Sequence, residues 1–309
     1  MKITVYYIVG FVSLLLLTNM LAAAEYKVAV RAHHGVEVAI KQWQPTIDAI
    51  SKKIPEHTFT LLPILSLEEI TERAGKNDYQ FVLTNPSSFV EIKELYGAEN
   101  LATLNNKREN TAQSRFGSVI FTHVRNENIL SIKDLKNKTL IVVSESAFGG
   151  WRVAWLEMLE KGFDPKNKLK KLMYTKNKTQ SAVVKAVYDG TADAGVVRTD
   201  LLERMEASGK IDMRYFRIIE NKEISDFPFF ISTKLYPEWA FAVMKPVSAE
   251  INEKVKKVLL EISDKSTAAK AGKYIGWTTS LNYSSVRNLM LKLKVGPFSS
   301  SKNRKGNAK

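Results

Sequence analysis

The stretch Tyr79-Gln80-Phe81-Val82-Leu83-Thr84-Asn85-Pro86-Ser87-Ser88 passes from a compact apolar strand, Tyr79 to Leu83, straight into the opening of a helix. Thr84 or Asn85 can cap that helix and Pro86 suits its first turn, so unpaired backbone N–H groups point out of the strand end. The same order recurs further along. A strand expected over Thr139 to Val143 leads into Ser144-Glu145-Ser146-Ala147-Phe148-Gly149-Gly150 and then into a helix. The glycines let backbone approach a ligand closely, the hydroxyls can donate, and the helix adds its positive end. Together the two loops suit a small anion. Any α/β protein has capped helices, however, and one such loop alone would say little.

Working outward, strand-like runs alternate with helical ones, which is the pattern of an α/β fold. Tyr26 to Arg31 alternates as a strand, and Val36, Ile40, Trp43, Ile47, Ile50 and Ile54 fall at helical spacing. Ser66-Leu67-Glu68-Glu69 is a capping box that opens a short helix. Further strands are expected at Ser118 to His123, Leu172 to Tyr174, Ala192 to Val197 and Arg214 to Ile218. Helices are expected after Gly150, Thr179 and Thr199, and over Ser248 to Ser263. The run from Phe116 reads as an inserted unit, giving one lobe of residues 25–115 plus 228–298 and a second of residues 116–227. The crossings fall near Arg115 and near Phe227. Ligands of open α/β sheets bind beyond the carboxyl ends of the strands, so facing lobes place the site in the cleft between them.

Composition removes other readings. Of 309 residues none is cysteine, which excludes disulfide frameworks, CxxC zinc sites, iron–sulfur clusters, thiol nucleophiles and a lipidated N-terminal cysteine. Hydrophobic content of 45% and charged content of 25% are those of a folded globule. Lys+Arg outnumber Asp+Glu by 46 to 32, a formal charge of +14. The basic start Met1-Lys2, the apolar run Ile3 to Leu17 and the small residues Ala22-Ala23-Ala24 have the order of a secretory signal, with cleavage expected after Ala24. An uncleaved anchor is the alternative. The expectation is a periplasmic protein that is not a lipoprotein. Residues 299–309, with Lys302, Arg304, Lys305 and Lys309 and no acidic residue, are expected to be a disordered basic tail, either solvated or touching anionic lipid or a partner.

The candidate ligand residues are Thr84, Asn85 and Ser87 of the first loop, and Ser144, Ser146, Phe148, Gly149 and Gly150 of the second. Phe148 is expected to line the cleft. Arg198 and Thr199 join them, because Asp193-Ala194-Gly195-Val196-Val197 reads as a buried strand that delivers an arginine fork at its end. The alternative for Arg198 is a salt bridge to Glu145 or Asp200. Arg152 is a weaker candidate that can equally face solvent. His34, beside His33, can hydrogen-bond an anion and make binding sensitive to pH. Adjacent histidines can also hold a metal, but no other histidine lies near and no HExxH spacing exists, so neither metal nor cofactor is expected. There is no GxSxG, P-loop or GxGxxG, so no catalytic residue is assigned and an enzyme is not expected. Basic residues are spread along the chain, which argues against nucleic-acid binding.

The segments Trp43-Gln44-Pro45-Thr46, Phe81-Val82-Leu83-Thr84-Asn85-Pro86, Ala147-Phe148-Gly149-Gly150-Trp151, Asp193 to Thr199 and Leu235-Tyr236-Pro237-Glu238-Trp239 resemble, in this order and spacing, the PhnD-type family of periplasmic binding proteins for phosphate, phosphite and phosphonate. Within that family the chain is more similar to the sensor domains of tetrathionate-type histidine kinases and to stand-alone relatives that serve sensor kinases, including arsenate-binding ones. The resemblance implies a two-lobed type 2 (Venus flytrap) fold closing, as a monomer, on a small oxyanion. It implies a membrane partner, either a sensor kinase or an ABC permease. One departure stands out: the phosphonate importers carry a Ser-Thr-Ser-Gly type loop where this chain has Ser146-Ala147-Phe148-Gly149-Gly150, so hydroxyl donors are fewer.

Overall fold

The structure, a computed structural model, describes residues 23–108 and 111–299. The expected signal segment up to residue 22 and the tail from residue 300 lie outside the described residues. Among the described residues no helix is long and apolar enough to cross a membrane.

The chain starts with β1 (Glu25–Arg31), α1 (Val36–Lys53), β2 (Thr58–Ile64), α2 (Leu67–Gly75), β3 (Phe81–Thr84), α3 (Pro86–Tyr96), β4 (Glu99–Arg108) and β5 (Thr111–Gln113). It crosses at β6 (Arg115–Phe116) and builds β7 (Ser118–His123), β8 (Thr139–Val142), α4 (Val153–Glu160), α5 (Pro165–Lys168), β9 (Lys171–Tyr174), α6 (Gln180–Tyr188), β10 (Ala194–Arg198), α7 (Leu201–Ala207) and β11 (Phe216–Ile219). It returns at β12 (Tyr236–Pro237) and ends with β13 (Ala240–Val243), α8 (Ala249–Glu261), α9 (Thr267–Gly272), β14 (Tyr274–Thr279) and α10 (Ser284–Leu293).

These strands form two mixed sheets, one per lobe. The first has the order β14-β4-β13-β3-β1-β2, with β5 on β4, and the second β11-β7-β10-β8-β9. In the first, β1 and β3 run parallel with Val30 opposite Leu83, so the residues after each emerge at one edge. In the second, β10 and β8 run parallel with Gly195 opposite Ile141, which brings out Arg198 and Ser144 together. The crossing strands pair antiparallel, Phe116 with Tyr236 and Arg115 with Pro237, and form the hinge.

Sequence explains much of this locally. All four residues of β3 are buried, as expected of a strand covered on both faces. Ser66 caps α2 by accepting from Glu69 N–H at 3.0 Å. Along α1 the buried stripe is Ala39, Trp43, Thr46, Ile47 and Ile50, while Val36 and Ile40 of the apolar pattern remain exposed. Pro63 is tolerated in β2 because that strand closes the sheet edge. Strand β4 escapes the sequence pattern because Asn100, Asn105, Asn106 and Lys107 interrupt it, although it lies between β13 and β14.

The second crossing differs from expectation. Residues after Phe227 stay with the second lobe: Ser232 N–H donates to Ser118 O at 2.9 Å and Ile120 N–H donates to Ser232 Oγ at 2.9 Å. Phe227, Phe229 and Ile231 pack as a small cluster there, so the chain returns at Tyr236 rather than near Phe227. One continuous apolar cluster joins the lobes, with Phe116 and Tyr236 of the hinge, Phe148 and Trp151 of the second lobe and Phe89 and Met290 of the first. Helix α10 packs against α4, and Lys292 bonds Glu160 at 2.7 Å across the lobes.

Candidate functional site

On the first lobe, α3 opens as the sequence suggests. Asn85 is the N-cap, its Oδ1 accepting from Ser88 N–H at 2.9 Å and from Ser87 Oγ at 3.0 Å, with Pro86 in the first turn. Thr84 and Ser88 are buried, and among the described residues neither hydroxyl has a hydrogen-bond partner. Two buried donor groups at a helix N-terminus, left without partners, are what a ligand oxygen would satisfy. Ser87 is buried and its hydroxyl is spent on the cap.

Beside this loop, at the end of β1, stand His33 and His34, their rings 4.0 Å apart, with His33 5.8 Å from the Trp239 ring. Both residues are exposed at the surface, with neighbouring protein crowding their rings. Dense surrounding protein first, then His34, Arg31 and Arg198, push the pKa of His33 down to about 4. Burial and Lys273 also lower that of His34.

The second loop is built differently. After β8 the chain turns at Ser144 to Ser146, and Phe148–Arg152 form one π-helical turn that runs on into α4. Ser118 Oγ donates to Gly149 O at 2.7 Å and fixes the turn. A Cβ on Gly149 would stand 2.6 Å from Phe116 Cε2 and 3.1 Å from Arg198 Cβ, and one on Gly150 would stand 2.7 Å from Val143 Cγ2. Close packing therefore accounts for both glycines without a ligand. Phe148 is buried, edge-on to Phe116 and Tyr236 at 5.9 and 5.4 Å, so it belongs to the hinge core and does not line the cleft. Ser144 and Ser146 are half-exposed, and among the described residues their hydroxyls bond to nothing.

Arg198 ends β10 and meets carboxylates rather than open space. Its Nη2 lies 2.7 Å from Glu238 Oε1, its Nε 3.3 Å from Asp200 Oδ1, and its guanidinium stacks 4.3 Å from the Phe116 ring centre. Asp200 is thus one partner, as the alternative reading had it, but Glu145 instead faces Lys166 at 3.9 Å. Burial opposes the charge of Arg198, yet Glu238 and Asp200 outweigh it and raise its pKa. Asp200, in the left-handed region at φ 72°, also takes Arg204 at 2.8 Å and Arg108 at 2.9 Å. Arg108 reaches it from β4 of the opposite lobe. Burial and the nearby Arg198 push the pKa of Arg108 down to about 10.

Among the described residues Arg108, Arg198 and Arg204 meet the carboxylates of Asp200 and Glu238 alone, so one positive charge is left over among these five side chains. The Nε atoms of Arg108 and Arg198 sit within ion-pair distance of Asp200 but lack hydrogen-bond geometry. A half-buried surplus charge with unused donors is a standing attraction for an anion. Thr199 is less available: it is buried and its Oγ1 accepts from Gly117 N–H at 3.3 Å. Arg152 donates from Nε to Glu145 O at 3.1 Å; burial lowers its pKa, offset by Glu91, Glu145 and Glu68, of which Glu91 and Glu68 belong to the first lobe.

The structure therefore sets Thr84 and Asn85 at the end of β3 and His33 after β1 in one lobe, and Ser144 and Ser146 after β8 and Arg198 at the end of β10 in the other. Sequence reading missed Arg108, Glu238 and Ser88. Arg108 carried no signal, since it ends a strand that the pattern did not reveal. Glu238 was legible only as a charge beside aromatic Tyr236 and Trp239. A surface groove of about 520 Å³ lies elsewhere, between α3 and the Ser280 to Arg287 segment, at the end of the first sheet away from the cleft.

Comparisons with known proteins identify the family and the fold. The family described as "ABC transporter, phosphonate, periplasmic substrate-binding protein" matches residues 29–283. The tetrathionate sensor histidine kinase TtrS of Salmonella typhimurium is 28% identical over 276 residues, 89% of this chain but 45% of the kinase. The chain thus spans about half the length of that relative. Two solved structures share the fold. PhnD1 of Prochlorococcus marinus, in complex with methylphosphonate, aligns with a TM-score of 0.66 at 15% identity, covering 87% of this chain and 98% of PhnD1. A binding protein component of an ABC phosphonate transporter from Pseudomonas aeruginosa aligns with a TM-score of 0.66 at 13% identity, covering 87% of this chain and 86% of that one.

Proposed function

Since the chain belongs to the family of periplasmic substrate-binding proteins of phosphonate ABC transporters, we propose that it captures a small oxyanion between its lobes and presents the closed form to a membrane sensor histidine kinase. The observation that supports this most is the arginine cluster, with surplus positive charge where strand ends from both sheets converge. Thr84 and Ser88 offer neutral donors from the first lobe, and Ser144 and Ser146 from the second. The anion is phosphate-, arsenate- or phosphonate-like, or a sulfur oxyanion. It stabilises the closed state in proportion to its preference for that state, and the partner reads the resulting geometry. Similarity to a sensor kinase along nearly the whole chain favours sensing. A second reading, delivery of the same anion to an ABC permease, rests on the transporter family to which the chain belongs. In both, the protein is exported by a cleavable signal, acts as a monomer and catalyses nothing.

The test is a thermal-shift and calorimetry panel of phosphate, arsenate, phosphite, methylphosphonate, sulfate, thiosulfate and tetrathionate. A ligand at 100 times its dissociation constant adds about 2.7 kcal/mol to folded-state stability. At least one anion should produce that shift, and silence across the panel would overturn the reading. Co-purification with a kinase ectodomain or with a permease then separates the two partners.

A further inference from the structure

The lysines of the second lobe gather on one edge of its sheet. Lys136 precedes β8, Lys170 and Lys171 open β9, and Lys176 and Lys178 follow it; all five are exposed. Backbone bonds hold these segments side by side, Asn137 N–H donating to Lys168 O at 2.9 Å and Lys170 N–H to Lys138 O at 3.0 Å. Strand β9 is the outer strand of that sheet, so the row runs along the edge from base to tip. It ends beside the cleft, because β9 parallels β8, whose end leads into Ser144. Among the described residues none of the five side chains makes an ion pair or hydrogen bond. Elsewhere on the same lobe Lys161 and Lys185 are neutralised, by Glu220 at 2.7 Å and Asp189 at 2.8 Å. On β9 itself Tyr174 is 46% exposed.

The kind of cation discriminates between partners. Over residues 133–138 and 161–178 every basic residue is lysine and none is arginine. Packed protein interfaces favour arginine and exclude lysine, whose ammonium is strongly hydrated and whose stem loses freedom when pinned. A fluid anionic surface demands no fixed geometry. Each lysine held near one strengthens attachment about fivefold, and an exposed tyrosine is suited to the headgroup level. We propose that the β9 edge is a membrane-facing surface that binds anionic phospholipid headgroups and lays the cleft mouth beside the bilayer. Edge lysines also block strand-to-strand aggregation, and that would be their whole role if lipid does not bind.

The chain from Glu25 to Lys309, which holds every element of the fold, is sedimented with phosphatidylcholine vesicles with and without phosphatidylglycerol, at low and high salt. It should follow only the anionic vesicles and be released by salt. Joint reversal of Lys136, Lys170, Lys171, Lys176 and Lys178 to Glu should lower that partitioning more than about tenfold. Reversing five exposed lysines of the first lobe, Lys41, Lys52, Lys257, Lys265 and Lys270, should leave most of it. The pair Lys176→Glu and Lys178→Glu, outside any strand, guards against misfolding and should give an intermediate loss. No preference for anionic vesicles, equal losses in both reversed sets, or full binding by the β9 set would each overturn the proposal.

Discussion

The two strand-to-helix loops, one on each lobe, look alike as sequence and differ as structures. On the first lobe, Asn85 caps a regular α-helix, and the buried Thr84 and Ser88 hydroxyls have no partner among the described residues. On the second, a π-helical turn is tied down by Ser118, packed against Phe116 through Gly149, and set beside an arginine already held by two carboxylates. One side keeps neutral donors in reserve. The other is a charged platform whose arginines and carboxylates hold each other and leave one positive charge over among the described residues. Under the proposed function, the platform would supply fixed charge and the first-lobe hydroxyls the donors that an anion satisfies.

Breaking the platform should have the largest effect. Glu238→Gln leaves Arg198 without its nearest counter-charge in a buried setting, and should cost about 3–5 kcal/mol in urea denaturation. Arg198→Ala strands Glu238 in the same way, so it too should lower the melting point of the free protein; unchanged stability would show that the pair is dispensable. Gly149→Ala comes next, since Phe116 and Arg198 must both shift, at about 1–3 kcal/mol and with weakened anion binding. On the opposite lobe Asn85→Ala should cost only about 1 kcal/mol, the worth of a helix cap, yet reduce anion affinity in calorimetry. Ser146→Ala sharpens the contrast further: its hydroxyl has no described partner, so stability should stay within about 0.5 kcal/mol while affinity falls.

A separate test is pH. The pKa of His33 is lower in the folded protein, so the neutral ring is favoured there. The stability it contributes is present above the ordinary histidine pKa and is lost as pH falls from there toward about 4. The free protein should melt lower at pH 5 than at pH 7, and His33→Gln should flatten that slope. A bound anion favours the protonated ring instead, so affinity should rise over the same interval, and a flat affinity profile would remove His33 from the site.

Much of the frame was legible. The register of capping and burial at Ser66, at Asn85 and along β3 depends on residues within a few positions of each other, and the structure keeps it. The strand expected at Ser118 to His123 is β7. Strand β4 was not legible, because its asparagines break the alternation even though the residues around them lie between β13 and β14. The second crossing was misplaced because nothing local marks where Ser232 stops pairing with Ser118. Gly149 and Gly150 drew attention as a ligand loop, and the structure gives them a packing reason first.

By itself, the sequence determined the α/β alternation, the two strand-end loops, the cap of α3 and the resemblance to oxyanion-binding relatives, since hydrogen bonding and hydrophobic period act over neighbouring residues. The tertiary structure decided which charges meet. Arg198 finds Glu238 forty residues away in sequence, and Arg108 crosses between lobes to Asp200. It also turned Phe148 from a cleft residue into hinge core. Those outcomes follow from how two sheets and a hinge pack, because an ion pair between distant segments exists only once burial has brought both partners to one place and removed the water between them.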